Sequence, residues 1–181
     1  MLKMTKRMTP VVLLIFAIVS GAACSMPHQV VPVPQPIDDE SVPRLGVASA
    51  IAVEPLPGMQ SKEFELCSAG PHSYTVTSAA LTNTAISVTR EVLRLNGIEV
   101  NPDSVKKLRI RAVDSRCSLE KMVYRHVTTI NVHAGDSIVK NYSGSRSVGH
   151  VFSTSFAVEM TINQAVLKMF KDRQIIDYLQ N

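Results

Sequence analysis

The chain has no tryptophan, and aromatic residues make up only 5% of it. Its core must be built from Val, Ile, Leu, Met and Ala. No Cys-x-x-Cys and no His-Glu-x-x-His occurs, so the common zinc spacings are missing. No Gly-x-Ser-x-Gly elbow marks a serine nucleophile. The segment Gly144-Ser145-Arg146-Ser147-Val148-Gly149 is bounded by glycines but lacks the Gly-Lys-Ser/Thr ending of a phosphate loop. It reads as a strand-to-helix connection. The free amides of the helix opening at Ser153 and Thr154 are its one anion-binding feature. Glu91, Glu99, Asp114, Glu120, Asp136 and Glu159 fall on different elements and form no acid/base pair. These absences predict a non-enzymatic protein with no cofactor and no bound metal.

Long hydrophobic runs are also missing. The longest, Val11 to Val19, has nine residues, whereas a bilayer-spanning helix needs about 20. Lys3, Lys6 and Arg7 precede it, and the small residues Gly21-Ala22-Ala23 follow it, before Cys24. These are the three parts of an export signal. Cys24 after small residues is the pattern of a bacterial lipoprotein, cleaved before the cysteine and acylated on it. Gly21 stands where the usual lipobox has leucine. Ordinary signal cleavage after Ala22 or Ala23 also fits. Ser25, in the position after the cysteine, favours the outer membrane over retention in the inner one. The domain reading is a signal over residues 1–23, a lipidated Cys24 with a tether over 24–43, and one periplasmic domain over 44–181.

Charge of one sign disappears with the signal. Removing Lys3, Lys6 and Arg7 takes 19 basic residues to 16, against 15 acidic ones. The whole-chain charge of +4 is therefore no argument for nucleic acid. Cysteine is scarce too, with three residues. If Cys24 carries lipid, Cys67 and Cys117 remain as an even pair in an oxidising compartment. They form either a disulfide or two separate buried thiols.

Half of the chain's 10 prolines lie between Pro27 and Pro43. Proline fixes the backbone and donates no hydrogen bond, so this stretch predicts an extended, semi-rigid tether holding the domain off a membrane. Leu45 to Val53 reads as a first strand, with Phe64 to Cys67 and Tyr74 to Thr77 as shorter ones. Leu81, Ala85, Val88, Val92 and Leu95 recur at helical spacing, which predicts a helix over 78–96. Ser78 is the expected cap and Gly97 the expected terminator. Leu108, Ile110 and Ala112 alternate with Lys107, Arg109 and Arg111, the mark of a half-buried strand. Ser115 to Glu120 reads as a turn, Lys121 to His133 as a long strand, Ala134 to Ser137 as a hairpin turn and Ile138 to Val148 as the last strand. A broad apolar face predicts a second helix over 153–170, capped by Ser153 or Thr154. Asp172 is the expected cap of a short final helix. The pattern is α+β: a strand, a helix, a three-stranded antiparallel meander and a closing helix, with the helices on one face of the sheet.

That order, with Glu91-Val92-Leu93-Arg94-Leu95-Asn96-Gly97-Ile98-Glu99-Val100 and Ile138-Val139-Lys140-Asn141-Tyr142-Ser143-Gly144-Ser145, resembles the YajG-like lipoproteins of Gram-negative bacteria. The ending Lys171-Asp172-Arg173-Gln174-Ile175-Ile176-Asp177-Tyr178-Leu179 is similar in character. The likeness runs from about Tyr74 to the end. It implies an envelope lipoprotein of this fold and supplies no catalytic residues. The Cys67 and Cys117 pair and Gly21 depart from the family's pattern.

Among the histidines, His126 and His133 sit seven apart on one strand and should face opposite sides. Basic residues concentrate around one hairpin: Lys106, Lys107, Arg109, Arg111, Arg116, Lys121 and Arg125. They make either a solvated sheet face that blunts an edge or a contact surface for an anionic envelope component or an acidic protein patch. The resulting expectation is an outer-membrane-anchored periplasmic lipoprotein, facing the periplasm. It acts as a non-enzymatic accessory module in envelope maintenance or assembly. A lipid or glycan trafficking auxiliary using the basic hairpin is the second reading, and an enzyme a distant third.

Overall fold

The computed structural model describes residues 25–47, 49–58 and 62–181. Cys24 and the expected signal over residues 1–23 lie outside the described residues. Among the described residues there are seven strands: β1 (Met26–Gln29), β2 (Ala52–Pro55), β3 (Glu63–Ala69), β4 (His72–Thr77), β5 (Lys107–Glu120), β6 (Val123–Ala134) and β7 (Ile138–Val148). Three α-helices accompany them: α1 (Ser78–Leu95), α2 (Thr154–Met169) and α3 (Arg173–Gln180).

The α+β class is as expected, but the strands form two sheets rather than one. The larger has the order β2-β5-β6-β7, and the smaller β1-β4-β3. β5, β6 and β7 are the antiparallel meander. β2 joins its edge in parallel with β5, and β1 pairs in parallel with β4. The expected first strand over 45–53 is short, because Gly46 turns the chain at φ 59° and regular pairing begins only at Ala52.

One face of the meander is the core. Leu108, Ile110 and Ala112 from β5, and Ile130, Val132 and Ala134 from β6, are all buried. The stripe on α1 covers β5: Leu81, Ala85, Val88 and Val92 have almost no exposed surface. The cap of α1 is Thr77, whose hydroxyl accepts from the Ala80 amide at 3.1 Å. Ser78, the expected cap, instead donates to the Ala112 carbonyl at 2.7 Å and ties the helix to the sheet. Gly97 ends the helix at φ 70°, as expected. α2 crosses β7 so closely that a Cβ on Gly144 would collide with the Thr161 carbonyl. Ser153 precedes α2 without a side-chain cap bond, while Thr154 donates to the Val151 carbonyl at 2.5 Å. Asp172 caps α3 through the Gln174 amide at 2.9 Å, as expected. It also accepts from Lys140 Nζ and the Tyr142 hydroxyl, each at 2.9 Å. The Lys140 bond holds its carboxyl below the usual carboxylate range.

The proline-rich stretch is packed against the domain and does not stand off as a tether. β1 begins it, with Met26 opposite His72. Val30 and Val42 are buried. The carbonyl of Pro32 accepts from the buried Thr84 hydroxyl at 3.0 Å. Glu159, buried on α2, accepts from the Val33 amide at 2.9 Å, from Gln35 Nε2 at 2.5 Å and from the Ser155 hydroxyl at 3.1 Å. Proline removes donors from this strap but not acceptors or apolar contacts, so an extended segment can still dock.

Glu159 is the polar clamp of the strap. Glu159→Ala removes the charged acceptor shared by three part-buried hydrogen bonds and should lower stability by about 1–3 kcal/mol. Urea unfolding measures the loss, and hydrogen exchange at the Val33 amide should accelerate. Unchanged exchange there would show that the clamp is not what holds the strap.

Candidate functional site

The site grows out of the β5–β6 hairpin. Its turn is Lys121-Met122, with both residues left-handed at φ 47° and 71°. Two-residue hairpin turns of this geometry favour Asn-Gly, because side-chain sterics penalise positive φ. The expected turn over 115–120 is instead paired strand: Cys117 faces His126, and Glu120 faces Val123. The misplacement has a physical reason, since no turn-forming residue marks the true apex.

A bulge between Ala112 and Asp114 sets which side chains enter the core. Before it, even-numbered residues point inward. After it, Ser115 and Cys117 do. The inner face therefore changes character along its length. Leu108, Ile110 and Ala112 give way to a hydroxyl layer, in which buried Ser115 bonds Thr128 at 3.1 Å and Thr128 accepts from Thr161 of α2 at 2.7 Å. The next layer holds Cys117 and His126. β3 brings Cys67 onto this layer, at disulfide distance from Cys117 with a Cα–Cα separation of 5.3 Å. That separation lies in the ordinary disulfide range.

His126 is fully buried. Its Nε2 lies 3.8 Å from Cys67 Sγ and 3.7 Å from Cys117 Sγ, while Nδ1 has no hydrogen-bond partner among the described residues. Burial pushes its pKa down to about 4. His133 faces the other side of β6, where its Nε2 bonds Asn131 Oδ1 at 3.0 Å. The two histidines thus face opposite ways, as their spacing implies. The approach of His126 to the cysteines was not read from the sequence. A turn placed at Lys121-Met122 would have put Cys117 opposite His126.

The seven basic residues stay on the hairpin and its approach but do not gather in one patch. From Lys107 to Glu120, β5 spans about 45 Å at the usual rise per residue. Lys106 donates to the Leu179 carbonyl at 2.8 Å, and Lys107 pairs with Glu54 at 2.8 Å. The Lys107 bond holds the Glu54 carboxyl below its usual range. Arg109 reaches Glu54 at 3.7 Å and Asp136 at 3.9 Å. Arg111 donates to the Pro57 carbonyl at 2.9 Å. Arg116 pairs with Asp114 at 3.7 Å, and Arg125 with Glu120 at 3.4 Å. Lys121 stands at the turn itself.

The hairpin apex carries a second feature. Leu119, Met122 and Phe152 are 62%, 85% and 74% exposed. They line one hollow of about 270 Å³ with Tyr124 and His150. Phe156 lies one helical turn beyond Phe152 and is also exposed. The start of the strap reaches the same end: the rings of His72 and Phe152 meet edge to face at 5.7 Å, and His28 stacks on His72 and Tyr74. A broader depression of about 800 Å³ lies at the opposite end, between Lys106, Gly135 and Tyr178. No helix among the described residues is long and apolar enough to cross a membrane. The chain matches no family model and no curated relative.

Two predictions follow from this geometry. A neutral buried histidine in the folded state takes up its proton later than the unfolded chain does. Its contribution is present above the unfolded pKa of 6.5 and is lost as pH falls toward about 4. That gap corresponds to about 3 kcal/mol. His126→Gln should flatten the stability–pH profile between those limits, read by chemical unfolding at several pH values. Separately, Lys121→Asn with Met122→Gly relieves two strained residues and should stabilise by about 1–2 kcal/mol in thermal unfolding. An unchanged melting temperature would mean the apex is not strained.

Proposed function

We propose that this protein is a lipid-anchored envelope protein whose domain rests on the membrane leaflet through its hairpin apex, as a non-enzymatic accessory module in envelope maintenance or assembly. The observation that carries the reading is spatial. The exposed apolar side chains Leu119, Met122, Phe152 and Phe156 lie at the end where β1 starts, and β1 starts two residues after Cys24. Two residues reach about 7 Å. A lipid on Cys24 would hold this end at the membrane surface, with the docked strap leaving little slack. Lys121 at the turn suits an anionic headgroup, and Arg125 beside it is paired with Glu120. Contiguous exposed apolar surface of this kind marks an interaction site. The export signal, the lipobox-like Cys24 and the resemblance to the YajG-like lipoproteins support the same reading, with the outer membrane's periplasmic leaflet as the destination.

The trafficking alternative draws less support. The hollow beside Phe152, about 270 Å³, falls below the usual size of ligand clefts. The larger depression lies at the far end, away from the strap's start.

The native absence of tryptophan gives a clean test. Met122→Trp and Phe152→Trp, in membrane-attached full-length protein reconstituted with brominated phospholipids, should be strongly quenched. Val105→Trp, at the opposite end, should not. Equal quenching at all three, or none at the apex, overturns the apex contact. Cys24→Ser should separately release the protein from membrane fractions and remove the acyl mass. Retention with unchanged mass overturns the anchor.

A further inference from the structure

Cys67, Cys117 and His126 offer three ligand atoms that lie within 4.8 Å of one another. They come from three strands, β3, β5 and β6, so the cluster is a product of the fold. We propose that this trio is a two-state site: a disulfide when oxidised, and a Cys₂His site for a thiophilic d¹⁰ cation, Zn²⁺ or Cu⁺, when reduced.

Three observations carry the proposal. The first is the distance from the imidazole to the sulfurs. Tetrahedral zinc with ordinary Zn–S and Zn–N bonds separates nitrogen from sulfur by about 3.6 Å. The observed Nε2–Sγ separations are 3.8 and 3.7 Å. The histidine already stands where a ligand would stand, and only the two sulfurs need to part, to about 3.8 Å, for the same geometry. The second is the cost of the histidine. A structural disulfide needs no imidazole beside it, and an apolar residue would fill the space without penalty. Instead a fully buried imidazole is held with its Nε2 toward both sulfurs, and burying a polar ring costs free energy unless it gains a partner. The third is access. A cleft of about 220 Å³ between Leu66, Ser68, Leu119 and Tyr124 is also lined by Cys67 and Cys117. Its open side leaves a fourth coordination position for an exogenous ligand, the arrangement of sites that exchange metal or bind a further ligand.

The chemistry balances simply. A dithiol reductant attacks the disulfide through a mixed disulfide. Two electrons and two protons pass to the Cys67 and Cys117 sulfurs, and the reductant leaves as its own disulfide. The cation then binds two thiolates and neutral His126 Nε2, releasing the two thiol protons. Zinc leaves the site formally neutral. Cuprous ion is the softer match and leaves it with one negative charge.

The test uses the full chain carrying Cys24→Ser, so that Cys67 and Cys117 are its only cysteines. The protein is reduced with a phosphine, freed of reductant without air, and titrated with Co²⁺ as the spectroscopic stand-in. One cobalt per chain with a thiolate-to-cobalt charge-transfer band is expected, displaced by zinc. A parallel titration with Cu⁺ against a cuprous chelator decides which cation is held more tightly. The air-oxidised protein should bind neither. Cys67→Ser should abolish the band, and His126→Gln should weaken zinc binding tenfold or more. Should either variant fail to fold, zinc protection of the wild-type thiols is read instead: zinc should slow alkylation of both Cys67 and Cys117. Reduced wild-type protein that binds no cobalt, zinc or cuprous ion and gains no protection overturns the site. So does binding that survives undiminished in a folded Cys67→Ser variant.

Discussion

One extra residue on β5 governs the tip of this protein. The bulge between Ala112 and Asp114 reverses which side chains face the core. Without it, the ladder would carry Asp114 and Arg116 inward and turn Ser115 and Cys117 out. With it, Ser115 joins Thr128 in a buried hydroxyl layer, and Cys117 joins Cys67 and His126. The bulge also keeps Arg116 on the outer face with Lys107, Arg109 and Arg111, where Asp114 partners it. A regular strand of this length could place either half of its sequence correctly, but not both. The hydrophobic half and the sulfur–imidazole half are compatible only because their registers differ by one.

The second constraint is the strap. Five prolines remove five amide donors, which suits a segment lying along a surface or, like β1 with Pro27, at a sheet edge. What docks it is therefore supplied by the domain and by the strap's other groups. Glu159 takes the Val33 amide and the Gln35 side chain, Thr84 takes the Pro32 carbonyl, and Val30 and Val42 fill apolar sites. Docking joins the two ends of the argument about function. A free tether would make the domain's orientation toward a membrane irrelevant. A docked strap starting beside Phe152 and His72 would, in the proposed anchored state, make that orientation specific, with the apolar apex toward the lipid.

Much of the fold was legible. The stripe from Leu81 to Leu95, the alternation from Lys107 to Ala112, the helix stop at Gly97, the turn at Gly135 and the cap at Asp172 each arise from local periodicity or local backbone preference. Those signals do not depend on partners, so reading them in isolation works. Where reading failed, a distant contact had overridden local preference. Lys121 and Met122 turn the chain at positive φ without glycine or asparagine, so the apex was displaced into Ser115–Glu120. The basic residues are adjacent in sequence yet spread along a strand, with Glu54, Asp136, Asp114 and Glu120 among them.

The sequence by itself determined the α+β class, both long helices and the meander. Each rests on short-range patterning, which survives without tertiary context. Only the tertiary structure decided that the proline-rich stretch is a strap, that the strands divide into two sheets, and that Cys67, Cys117 and His126 converge. Those facts depend on bulge, register and docking, which are relations between residues as much as 128 positions apart. No local window contains both partners, so no local pattern could announce them.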